Sequence, residues 1–272
     1  MGKREKPAER EGQSTRQAAM TSVLLVLLAL VSVTAATIAW FSIADRTKVR
    51  SMSMEITTGA NLRFDLDEHR VFDDYVKTLG FEQIADRMRQ EKGFDMRETP
   101  LEPVTTADYT TFTLENGTVV ENTKGSYLEF TLHFMALQDM IVHLSSADSG
   151  DQKNDGTEIS SGVAGLSQAM RISFTIGNQT MVYDPGMGNT STVAGNVKLF
   201  GLPPGGAMTY NGDNELFSLK KETDQPVIVH VWMEGTDESC TDALKGADYS
   251  IQLRFVGTDE AGNVLDGAEK NN

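Results

Sequence analysis

The chain has 272 residues, 39% hydrophobic and 23% charged, enough to bury one sizeable core, and its 39 acidic against 24 basic residues give a net charge of −15. That excess of carboxylates argues against nucleic acid as a partner, because binding a polyphosphate requires Lys and Arg to neutralise it. The single cysteine, Cys240, excludes an intrachain disulfide, so a domain of this size must be held together by its core.

Residues 1–17 read as a basic leader on the cytoplasmic side, with Lys3, Arg4, Lys6, Arg10 and Arg16 against three Glu. From Gln17 to Ala44 no charged residue occurs over 28 positions, which exceeds the roughly 20 that cross a bilayer's hydrocarbon as a helix. Residues 18–44 are therefore predicted to form a transmembrane anchor or signal segment. Val23, Leu24, Leu27 and Leu30 lie in its apolar stretch, and Trp40 and Phe41 mark its interfacial exit. Two fates stay open. Small residues at the end of an h-region make Ala35 and Ala36 candidate cleavage positions. Two further apolar turns, closed by Trp40-Phe41 and Asp45-Arg46, fit a retained single-pass anchor instead. Either way the rest of the chain is expected outside the cytoplasm, in the cell membrane or, if cut, in the extracellular matrix. That part carries 19 of the basic and 36 of the acidic residues, a net of −17.

Residues 45–257 are predicted to be one mainly β domain, a jelly-roll-like antiparallel β-sandwich. Met52, Met54 and Ile56 alternate with polar residues, Gly59-Ala60 turns the chain, and Leu62, Phe64 and Leu66 alternate again, which predicts a hairpin. A helical insertion is predicted over 67–98, where Phe72, Tyr75, Val76, Leu79, Ile84, Ala85 and Met88 recur at three and four residues with a break near Gly80. Asn116-Gly117 between Phe112–Leu114 and Val119 predicts a type I′ turn, and Gly177-Asn178 a second tight hairpin. Further strands are expected at Leu128–Phe134, Met140–Leu144, Met170–Ile176, Val227–Met233 and Ile251–Phe255. The Val227–Met233 strand is apolar on nearly both faces, as a central strand would be. Residues 258–272 read as a C-terminal tail in which DEAGN closes the last strand and GNVLDGAEKNN is expected to be disordered.

The chemistry is sparse. HExxH, GxSxG and GxxxxGK[ST] do not occur, and no cofactor is implied. His133 and His143 are expected on the outward faces of adjacent strands, where they would meet across a hairpin, but no third ligand is spaced to complete a metal site. Read as a calcium loop from Asp151, residues 151–162 put Lys153 at the third position and Gly162 at the twelfth, so the loop is taken as solvated. Asp237, Glu238 and Asp242 around Cys240 read as either an oxygen cage or a plain acidic loop leaving a strand, and Cys240 has no activating His or Lys beside it in sequence. Asn116, Asn178 and Asn189 are N-glycosylation sequons in a host that uses them.

The strings TAATIAWFS, QAMRISF, VIVHVWMEGTDESC and IQLRF resemble the TasA and camelysin group of exported Firmicutes surface and matrix proteins and their clostridial relatives. The resemblance implies a jelly-roll domain behind an N-terminal signal, in a group whose members build extracellular fibres of the biofilm matrix. This chain departs from that pattern in its 17-residue leader and long apolar run, and without a zinc motif the peptidase activity attributed to camelysin is not carried over. The expected function is a non-enzymatic cell-surface or matrix protein. Its partners are the membrane through the N-terminal segment, and itself or related subunits. In donor-strand assembly Val49, Met52, Met54 and Ile56 would add to the next subunit as an edge strand. The plainer reading has them complete this chain's own first strand. The alternative function is an anchored adhesin that holds a glycan or protein on its loops, with GLPPGGAMTYNGDNE and YDPGMGNTSTVAGN as candidates.

Overall fold

The computed structural model describes residues 48–56, 61–99, 101–121, 125–146, 156–203, 208–244 and 247–265. The anchor residues Val23, Leu24, Leu27, Leu30, Trp40 and Phe41, the cleavage candidates Ala35 and Ala36, and Asp151 and Lys153 lie outside them.

The protein is mainly β, with two sheets and few helices, consistent with a β-sandwich. The first sheet has six strands: β13 (Glu215–Leu219), β7 (Met140–Leu144), β15 (Asp248–Thr258), β1 (Lys48–Ile56) and β3 (Thr78–Leu79) in that order, with β8 (Glu158–Ser161) also on β15. β7 takes the second half of β15 and β8 the first, so two short strands share one flank of a long one. The second sheet runs β11 (Ser191–Ala194), β12 (Val197–Phe200), β10 (Gln179–Tyr183), β9 (Met170–Ile176), β14 (Gln225–Glu234), β6 (Leu128–Ala136) and β2 (Leu62–Asp65). β4 (Pro103–Thr106) and β5 (Phe112–Thr113) extend it from the end of β14. Most pairings are antiparallel, while β1–β15, β10–β12 and β14–β4 are parallel.

Period-two alternation places one apolar face of each sheet on a shared core of Met52, Met54, Phe64, Phe134, Phe174 and Phe255 with their neighbours. β14 has the predicted central place, between β9 and β6. Its second face lies under a smaller cluster in which Phe112, Tyr127 and Trp232 pack together. That second cluster takes Trp232, while Ile228 on the same face stays exposed.

Four local expectations are corrected. β1 and β2 do not form a hairpin: β1 joins β15 in the first sheet and β2 joins β6 in the second. The alternation on both sides of residues 57–60 is genuine, but it serves two facing sheets. The helical insertion is helical only in its second half. Residues 72–74 form a single 3₁₀ turn, Val76 exchanges backbone hydrogen bonds with Phe64, and β3 pairs with β1. The three-and-four spacing there reflects burial of Phe72 and Tyr75 against Met135, while free edges on β2 and β1 claimed the backbone. The α-helix α1 (Phe81–Lys92) starts at Gly80, where Gln83 Oε1 accepts the Gly80 N–H, and ends at Gly93 in the left-handed region. It buries Ile84, Ala85 and Met88 and touches both β1 and β6. A one-turn helix, α2 (Leu166–Ala169), leads into β9.

At Asn116-Gly117 only Gly117 has positive φ (77°), so the turn is not type I′; Asn116 instead accepts the Thr118 N–H. Finally, DEAGN closes the last strand as expected, but residues 262–265, the start of the segment expected to be disordered, are ordered. Asp259 accepts the N–H groups of Ala261 and Asn263, and the chain folds back so that Val264 bridges to Thr258.

Candidate functional site

The nominated assembly strand is an integral part of its own domain. Val49, Met52, Met54 and Ile56 are buried, Met52 and Met54 to 1% exposure, and β1 follows β15 in parallel from Lys48↔Asp248 to Ile56↔Phe255 with one irregularity between Val49 and Ser51. Among the described residues, its outer flank pairs with β3 at Met54 and Glu55, and the Ile56 N–H donates to the Lys77 carbonyl. Among the described residues, the backbone of Lys48–Ser53 faces away from β15 without a strand beside it, and Arg50 and Ser51 are exposed there.

A second feature lay hidden in the strand pattern. His230 on β14 stands directly opposite Ser173 on β9 and Glu129 on β6, so one row crosses three adjacent strands. His230 Nε2 donates to Glu129 Oε2 at 3.1 Å, Ser173 Oγ lies 3.5 Å from His230 Nδ1, and Lys92 Nζ from α1 donates to Glu129 Oε1 at 2.7 Å. The hydrogen bond from His230, helped by Lys92, holds the Glu129 carboxyl down at about 2. A serine, a histidine and a carboxylate in contact suggest nucleophilic catalysis. Here Ser173 is fully buried and His230 lies against Phe112 and Tyr127, ring centroids 5.3 and 5.9 Å away, so a substrate carbonyl has no approach to the hydroxyl. The row is a buried polar bridge that ties β9, β14, β6 and α1. No sequence signal marked it, because its members meet only through the pairing of β6, β14 and β9.

The other singled-out residues separate. His133 and His143 do not meet, because β6 and β7 belong to different sheets. His133 Nδ1 pairs with Asp224 at 2.9 Å. His143 is buried instead of outward-facing, held between Asn214 and Thr258, and burial lowers its pKa. Asp237 does not form an oxygen cage with its neighbours. It joins Asp184 on the guanidinium of Arg171, at 2.5 and 3.0 Å, while Arg171 also donates to the carbonyls of Gln168 and Met170. Burial raises the Asp184 pKa against the pull of Arg171. Burial, with Asp237 and Glu234 close by, pushes the Cys240 thiol up to about 12, far from a reactive thiolate. No group of three or more His, Cys, Asp or Glu among the described residues is placed to hold a metal ion.

Two of the clefts among the described residues bear on the nominated loops. The smaller, about 160 Å³, lies between the two loops nominated for recognition. Asn189, Thr190 and Ser191 line it from one, and Pro203, Thr209, Asn211 and Asp213 from the other. Ser191 Oγ donates to Asp213 Oδ1 at 2.9 Å, and Gly201 sits so tightly on Gly188 that a Cβ would fall 1.9 Å from its carbonyl oxygen. The larger, about 430 Å³, runs beside β13. There Lys198 of β12 reaches across from the second sheet to donate to the carbonyls of Gly212 and Glu215, both at 2.7 Å. Burial lowers the Lys198 pKa, with Glu215 and Asp213 acting against it.

No family model, curated protein or solved structure matches the chain. No helix among the described residues is long and apolar enough to cross a membrane.

Proposed function

We propose that this is an exported, non-enzymatic structural protein of the cell surface or extracellular matrix. In this reading a jelly-roll-type sandwich stands behind an N-terminal transmembrane or signal helix, and copies associate with one another, as the TasA-like strings imply. The observation that carries the reading is the position of β1. It is a core strand, described from Lys48, four positions after Ala44, where the uncharged run ends. If the run stays in the bilayer, the domain is held directly against the membrane. If the run is cut near Ala36, the released chain begins with a short apolar segment joined to a folded strand. The acidic surface suits a solvated exterior, and the polar groups that resemble catalytic ones are engaged in internal hydrogen bonds.

The test is the mass and N-terminal sequence of the full-length product in membrane and medium fractions, with electron microscopy of each. An intact product in the membrane supports the anchored form, and a start near Thr37 with filaments in the medium supports the matrix form. A product confined to the cytoplasm overturns the reading. A second reading, an anchored adhesin, is favoured by the polar cleft between the two nominated loops. Saturable glycan binding by a monomer, lost in Asp213→Ala, would establish it.

A further inference from the structure

The chain has four histidines, and three of them contact a carboxylate: His69 with Asp65 at 3.3 Å, His133 with Asp224 at 2.9 Å and His230 with Glu129 at 3.1 Å. His143 on β7 is the exception. It is 1% exposed, and its ring bonds to neutral groups on both sides, Nδ1 lying 2.9 Å from Asn214 Oδ1 and Nε2 3.1 Å from Thr258 Oγ1. Backbone groups fix the orientation of the Asn214 amide: its Nδ2 donates to the Thr209 carbonyl at 2.8 Å, and its Oδ1 accepts the Asn211 N–H at 3.1 Å. Oδ1 must therefore accept from the imidazole as well, so Nδ1 carries the proton and Nε2 of the neutral ring accepts the Thr258 hydroxyl. A second proton does not fit this arrangement. It would turn the fully buried Thr258 hydroxyl away from its acceptor and leave a buried cation with no carboxylate in contact among the described residues.

The three parts of this junction are unequally held. His143 is paired in the sheet on both sides, to Glu215 of β13 and Val256 of β15, and Thr258 is paired to Ile141. Residues 208–214 belong to no strand or helix, and the Asn214 side chain is what folds them onto the sheet. They also form one wall of the polar cleft, where Thr209, Asn211, Asp213 and Asn214 face Asn189, Thr190 and Ser191. We propose that His143 is an acid-operated latch on this wall: the neutral ring holds Asn214 and residues 208–214 in place, and the protonated ring releases them. Of the groups around the ring, Glu215 on β13 favours the cation and Lys198, reaching in from β12, opposes it. Tyr210 of the loop places its ring 5.2 Å away, Asp213 accepts from Ser191, and Asp259 beyond Thr258 is engaged by the N–H groups of Ala261 and Asn263. Burial is the largest influence and holds the imidazole below its ordinary 6.5, against the pull of Asn214 and Glu215. Because the folded value is depressed, the latch is complete above 6.5 and is lost progressively as pH falls from there through the lower folded value. The latch does not depend on the self-association proposed above.

The test is deuterium exchange of the full-length chain in detergent across the acid side of neutrality, with amide rates corrected for their intrinsic pH dependence. Exchange at the imidazole C2 position, read from the peptide that carries His143, gives the midpoint of its ionisation in the same samples. The expected result is that amide protection of 208–214 falls by about tenfold per unit of pH between 6.5 and that midpoint and then levels off, while β14 keeps its protection. His143→Gln keeps a donor toward Asn214 but has no proton to gain, so its loop should lose this pH dependence. Protection of 208–214 that stays constant while His143 charges overturns the latch, as does the same loss in a folded His143→Gln chain. Loss spread evenly over both sheets overturns its local character. If His143→Gln does not fold, the wild-type chain decides: loop opening that levels off at the His143 midpoint supports the latch, and a levelling-off clearly apart from it refutes it.

Discussion

Truncating Met54 tests whether β1 belongs to its own domain. Met54 is 1% exposed and stands between Leu253 on β15 and Leu79 on β3, so Met54→Ala removes buried methylenes and sulfur and leaves a cavity in a two-sided site. Such truncations cost about 2–5 kcal/mol, and with packed strands on both flanks a value of about 3 kcal/mol is expected. For a domain of this size that lowers the melting temperature by about 6–12 °C. The assay is thermal unfolding of the full chain in detergent at two protein concentrations, followed by circular dichroism. The intramolecular β1 seen here predicts the same loss at both concentrations. A loss under about 1 °C, or a melting temperature that climbs with concentration, would mean that the place beside β15 is empty or filled by another copy's strand, and the account given of β1 would be refuted.

Tyr249→Phe should stabilise the fold by about 1 kcal/mol, because the Tyr249 hydroxyl is fully buried and has no hydrogen-bond partner among the described residues; an unchanged or lower denaturation midpoint would show that the hydroxyl is satisfied. Glu129→Gln should cost about 1–2 kcal/mol at neutral pH, part of the roughly 3 kcal/mol ceiling set by a carboxyl lowered from 4.5 to about 2. Since that pKa is depressed on folding, the contribution is complete above about 4.5 and disappears as pH falls through about 2, so wild-type and variant melting curves should converge across that window. Gly201→Ala should destabilise the end loops by at least about 2 kcal/mol, because its Cβ meets backbone and not a movable side chain; faster proteolysis at 187–203 is the readout, and an unchanged digest would contradict the close approach.

Strand positions were legible because alternation is imposed by burial, and burial is written residue by residue: Leu128–Phe134, Met170–Ile176 and Val227–Met233 all appear as strands. Pairing was harder to read. Met52–Ile56 and Leu62–Leu66 carry the pattern of a hairpin, yet nothing in alternation tells whether the next strand lies beside the first or across the core from it. Residues 69–79 misled for a related reason, since three-and-four spacing was satisfied by two buried aromatics on a segment whose backbone was taken by neighbouring edges. The Ser173–His230–Glu129 row was unreadable until register was known, because its members lie 44 and 57 residues or more apart and become neighbours only through two strand pairings. Arg171, with Asp184 and Asp237, was likewise assembled by the ends of different strands.

The parallel alignment of β1 with β15 also determines how the domain bears load. A chain fixed at its N-terminus and pulled through its C-terminal end applies force at Lys48 on one strand and at Thr258 on the other. Because the two strands run in the same direction, those points lie at opposite ends of the pair. The strands must then slide past each other, with every hydrogen bond between them loaded at once, instead of peeling apart bond by bond as a hairpin does. The fold therefore has a shear clamp between β1 and β15, along the line of a pull applied across these two strands.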